Sequence, residues 1–143
     1  MSHPPHFLTG DAMTVVSGRF VEALRAAGVE NFELFPAVVH CNEENQDFSD
    51  YFVLNVIGVF DAVDEAKSKG TVIMPGFDQM PNMVGFDEVV FSAEKLAAEP
   101  RMFRIPQDKT MIFVHECVTE SLKQHAPPVP ERWGIVQRKV EVV

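Results

Sequence analysis

Basic residues are scarce in this chain: 12 Lys and Arg stand against 21 Asp and Glu, a formal net charge of −9 at pH 7. Nucleic-acid binding needs Lys and Arg clustered against phosphates, so the shortage argues against it. It argues equally against an anionic membrane surface. Cysteine is nearly absent, and Cys41 and Cys117 are too few for a disulfide framework. Long apolar runs are missing too. The longest, 51–60, has ten residues and contains Asn55, whereas a membrane-spanning helix takes about 20. The opening Met-Ser-His-Pro-Pro-His has neither the basic nor the apolar region of a secretory signal. Together these absences lead us to expect a soluble, reduced, cytoplasmic protein. Catalytic signatures are lacking as well. There is no Gly-rich loop ending in Gly-Lys-Ser or Gly-Lys-Thr, no G-x-G-x-x-G and no G-x-S-x-G. Composition cannot exclude a Ser-His-Asp set, but no local context supports one.

What is present fits a globular chain. The 143 residues are 46% apolar and 23% charged, which points to one domain rather than disorder. The net charge is unevenly spread. From Glu22 to Glu65, ten acidic residues face one basic residue, Arg25, while the rest of the chain balances eleven against eleven. The whole charge excess therefore lies in one 44-residue stretch, which leaves room for a basic protein partner.

Residues 1–13 read as an irregular arm, because Pro4 and Pro5 block regular structure and Gly10-Asp11 signals a turn. A helix is expected over 17–27, where Val16, Phe20, Val21 and Leu24 recur at helical spacing, Ser17 can cap and Gly28 can end it. A strand follows over 31–40, and Pro36 marks it as an edge or a bulge. Residues 41–50 read as a polar hairpin loop or exposed connection. The 51–60 run suits a central strand buried on both faces, with Gly58 at a bend.

Further on, 61–69 is a charged turn or short helical segment closed by Gly70, 71–74 a short strand, and 75–85 a loop rich in Pro, Gly, Met and Asn. A strand over 88–91 leads into a helix over 92–98, capped by Ser92 and stopped by Pro100. Strands over 102–105 and 111–114 flank a turn at 106–108, and a helix follows over 116–124. Pro127, Pro128 and Pro130 form a stiff connector to an alternating last strand over 134–143. Strands outnumber helices without regular interleaving. The expected fold class is α+β: a single domain, with a mixed or mainly antiparallel sheet and two to three short helices.

Two features could carry chemistry. His40-Cys41 and His115-x-Cys117 stand at the ends of expected strands and could form a tetrahedral zinc site if those strands were neighbours. Adjacent ligands are awkward, and free cysteines are common in cores, so no metal or cofactor is assigned. Asp61, Asp64 and Glu65 could do acid–base work or hold Mg²⁺, but Lys67 and Lys69 follow at once. A solvated, locally paired turn is the favoured reading. Of the twelve Phe, Phe20, Phe32, Phe52, Phe91, Phe103 and Phe113 fall inside expected elements and read as core. Met80, Met83 and Phe86 lie in or beside a Pro/Gly loop, where Met serves adaptable surfaces. Trp133 is read as an anchor for the last strand.

The segments DYFVLNVIGVFDAVDEAKSK (50–69), MFRI (102–105) and MIFVHECVTESLK (111–123) resemble an immunity-protein family of bacterial polymorphic-toxin systems, the family numbered eleven. That family shows an aspartate–aromatic pair, an apolar run containing Asn, then acidic residues and Lys-Ser. Later come Phe-Arg, a strand ending in Phe-Val, and a helix. VSGRFVEALRAAGVENFELFPAVV (16–39) resembles its opening helix and strand. Here His115, Glu116 and Cys117 replace the family's Ser and Glu-Glu, and the connector from Pro127 to Trp133 is not a family feature. The resemblance implies a non-enzymatic inhibitor that binds a cognate toxin domain in the cytoplasm.

Three readings follow. As an immunity protein, the chain would meet a basic toxin through Glu43, Glu44, Asp47, Asp61, Asp64, Glu65, Met80 and Met83, with no nucleic acid or membrane involved. As a small carboxylate enzyme, it would gather Asp61, Asp64 and Glu65 in a pocket. As an adaptor, it would form a homodimer through a sheet edge and the Met loop.

Overall fold

The computed structural model describes residues 3–10, 13–96 and 100–143. In chain order its elements are β1 (Phe7–Thr9), β2 (Thr14–Ser17), α1 (Gly18–Ala26), β3 (Phe32–Cys41), β4 (Gln46–Val56), β5 (Lys69–Met74), β6 (Met83–Glu88), β7 (Val90–Phe91), α2 (Ala93–Leu96), β8 (Met102–Ile105), β9 (Asp108–Val114), α3 (Glu116–Gln124) and β10 (Glu141–Val142). This is the expected α+β class with mainly antiparallel pairing. The chain divides into two compact units, Met1–Ile57 with His115–Val136, and Gly58–Val114 with Gln137–Val143.

The first unit is built on an antiparallel sheet of order β1-β2-β4-β3. Ser17 ends β2 and caps α1, its Oγ accepting the Phe20 N–H at 3.2 Å. The apolar face of α1, with Phe20, Val21, Ala23 and Leu24, is buried. Ala23 is small enough for α3 to come close, and the Ser121 hydroxyl of α3 donates to the Ala23 carbonyl at 2.6 Å. Ser17→Ala removes the cap and the hydroxyl beside His6, so a loss of about 2 kcal/mol is expected in urea unfolding.

β3 is one edge of the sheet, opposite β1, and its register shifts between Ala37 and Val39, so the edge-or-bulge reading of Pro36 holds on both counts. A proline and a bulge on one edge discourage pairing with another chain.

The second unit carries a core of Ala62, Val63, Phe91, Phe103, Ile105 and Phe113. The antiparallel pairs β5–β6 and β8–β9 and the parallel pair β7–β10 complete it.

Several expectations are corrected. The arm read as irregular contains β1, which exists because β2 pairs with it rather than through any local signal. β4 is central by hydrogen bonding but ends at Val56. Tyr51, Leu54 and Val56 are buried while Asn55 is exposed, so it is not buried on both faces. Gly58, at φ +133°, turns the chain in a conformation that side chains avoid. The loop expected over 75–85 stops at 82, because β6 starts at Met83. The strand expected over 88–91 is divided between β6 and β7. The last strand shrinks to β10, since alternation needs a partner as well and β7 offers two residues of edge. Of the six Phe assigned to the core, Phe32 and Phe52 are only half-buried. The end of the helix expected over 92–98 lies outside the described residues.

Candidate partner-binding surface

The β5–β6 ribbon presents apolar side chains to solvent. Val72, Ile73 and Met74 are consecutive and all exposed, Ile73 at 70%. Successive strand residues point to opposite faces, so both faces of β5 are uncovered. Phe77 in the turn is 71% exposed, and Met80 and Met83 follow it. Asn82 Oδ1 accepts the Gly76 N–H at 2.7 Å and the Phe77 carbonyl accepts the Met80 N–H at 3.1 Å, which shapes the turn. At the base, Ser68 Oγ accepts the Val90 N–H at 2.9 Å and donates to the Asp64 carbonyl at 2.8 Å. Met80 and Met83, expected on an adaptable surface, are exposed, and Ile73 and Phe77 are exposed beside them without having been expected there. A Thr-Val-Ile-Met run looks like a buried strand, and only the flanking Pro75-Gly76 hinted otherwise.

The acidic candidates fall into two sets. Glu43 and Glu44 lie in the exposed β3–β4 turn, and Asp47 sits at the start of β4, its Oδ1 2.6 Å from His40 Nδ1. These belong to the first unit, which holds eleven acidic and four basic residues against ten and eight in the second. Asp61, Asp64 and Glu65 belong to the second unit and each has a partner there. Lys95 Nζ lies 3.5 Å from Asp61 Oδ2. The buried Gln107 donates through Nε2 to Asp61 Oδ1 at 3.0 Å and Glu65 Oε1 at 3.3 Å. Asp64 Oδ1 accepts the Lys67 N–H at 3.1 Å. Only the Asp64–Lys67 contact is local in sequence; Asp61 and Glu65 are held by residues far along the chain. The three carboxylates do not form a three-residue ligand cluster among the described residues; Gln107 holds Asp61 and Glu65, while Asp64 faces the Lys67 amide.

His40, Cys41, His115 and Cys117 do not converge either. His115 instead caps α3, its Nδ1 accepting the Cys117 N–H at 3.1 Å. Cys117 Sγ lies 3.9 Å from the Ala27 carbonyl.

A different set of side chains does meet. Ser17 Oγ is 2.6 Å from His6 Nδ1, and His6 Nε2 is 2.9 Å from Glu131 Oε1. The order of groups resembles a hydrolase relay. A nucleophile must be reachable, however, and Ser17 is 3% exposed with its oxygen already accepting at the head of α1. Burial holds His6 below the ordinary imidazole range, against the upward pull of the Glu131 hydrogen bond. Burial, with Glu131 and Asp50 nearby, pushes the Tyr51 phenol up to about 12.

A family model described as "Immunity protein family (Imm11)" matches residues 2–142. No curated protein matches the chain.

Proposed function

We propose, from the premise that this chain belongs to the immunity protein family Imm11, that it binds a cognate bacterial toxin domain and neutralises it by covering the active cleft. It acts by occupancy, without turnover, in the cytoplasm where such a toxin would strike. The observation that supports the surface assignment is the ribbon with Ile73 and Phe77 uncovered. Contiguous exposed apolar side chains mark interaction sites, and a few aromatic and aliphatic anchors dominate binding energy. The toxin is the basic partner, drawn by the excess of seven negative charges in the first unit.

Co-expression tests the reading. A toxin domain encoded beside this gene should kill cells alone and spare them when this chain is present. Failure of rescue by a well-expressed chain would count against it. The charge contribution is separable. Glu43→Lys, Glu44→Lys and Asp47→Lys together should slow association about tenfold at low salt and flatten its salt dependence, with little change in dissociation. Stopped-flow binding reads both rates. An unchanged on-rate would make the acidic turn a solvated face only.

A further inference from the structure

We propose that His3, His6 and Glu131 form a binding site for a single divalent cation of the zinc class, which ties the N-terminal arm to the proline-rich connector. The site lies outside the ribbon and the acidic turn and does not depend on the toxin-binding reading.

One potential ligand atom from each residue lies within 4.8 Å of the other two. Glu131 Oε1 stands 2.9 Å from His6 Nε2 and 3.6 Å from His3 Nδ1. Ligands at about 2.0–2.1 Å around a tetrahedral zinc are about 3.4 Å apart, so modest side-chain rotation brings the three atoms into range. His3 Nδ1 also lies 2.7 Å from the Pro4 carbonyl, a contact that an ion held at Nδ1 would replace. Two imidazoles and one carboxylate favour zinc and its neighbours over calcium or magnesium, which take oxygen sets.

The surroundings hold the ligands in place. His6 is 95% buried, and its Nδ1 faces Ser17 Oγ, which is itself fixed by the Phe20 N–H. An outer partner on one ring nitrogen presents the other to a metal. The Ser17 N–H donates to the His6 carbonyl at 2.8 Å and the His6 N–H to the Arg132 carbonyl at 3.2 Å. Both ligand-bearing segments are thus held by backbone bonds. The Tyr51 hydroxyl donates to the Pro4 and Pro5 carbonyls at 3.1 and 3.2 Å, which fixes the chain between the two histidines. His3 and Glu131 remain partly exposed, so an ion can enter and a water can fill the fourth position.

The test is titration of zinc chloride into the full chain, tag-free and chelator-stripped, followed by calorimetry and by thermal melting. One ion should bind per chain, with the melting temperature raised by several degrees. Magnesium should give neither effect. His3→Ala and Glu131→Gln should each weaken binding at least about tenfold. Glu131→Gln can still accept from His6, and circular dichroism checks that both variants fold. Absence of saturable binding would overturn the proposal, and so would one-to-one binding that survives in the double variant.

Discussion

Replacing Phe103 by alanine should lower the unfolding free energy by about 3–5 kcal/mol, the range for a large aromatic truncated in a packed core. Phe103 is at the centre of four rings. Its centroid lies 5.8 Å from Phe91, 5.8 Å from Phe113 and 6.3 Å from Phe60. Those separations fall within the 4.5–7 Å preferred by aromatic pairs, which add about 0.5–1.5 kcal/mol beyond area burial. The neighbours cannot close the gap easily. Phe113 is fixed opposite Phe103 in the β8–β9 ladder, and Phe91 pairs with Val142. Urea unfolding should show a lower midpoint with an unchanged slope. A loss below about 1 kcal/mol would mean that the rings do not pack as described.

The second large effect concerns recognition rather than stability. Ile73→Asp combined with Phe77→Asp should weaken toxin binding by about 30-fold or more, the scale of losing one strong anchor, and should abolish protection in cells. The same double variant should change stability by about 0.5 kcal/mol or less, because both side chains already lie in water. That contrast separates a binding surface from a core. Titration calorimetry against the purified toxin domain, with urea unfolding alongside, measures both quantities. Undiminished affinity would exclude the ribbon as the anchor.

Local signals explain what could be read from the sequence. Ser17 as cap and Gly28 as terminator bracket α1, and α3 spans 116–124 as its apolar spacing predicts. Pro36 signalled an edge strand for a mechanical reason, its missing N–H. What escaped depends on partners remote in sequence. β1 is a strand because of β2. Asp61 and Glu65 are held by Gln107, which lies 46 and 42 residues away. His6 and Glu131 are 125 residues apart, so no spacing rule could join them. Met80 and Met83 were legible because a Pro/Gly loop seldom hides Met. Ile73 was not, because strand-forming residues look alike whether a sheet covers them or not.

The division into two units has a consequence for biosynthesis. The first unit opens with Met1–Ile57 but is completed only by His115–Val136. At ribosomal speeds of about 5–20 residues per second, the 57 residues in between take about 3–11 s to make. During that interval the face of α1 that packs on α3 lacks its partner, and the Ala23 carbonyl awaits the Ser121 hydroxyl. The first unit therefore cannot finish folding as it emerges, and completion waits until residues 115–136 have been made.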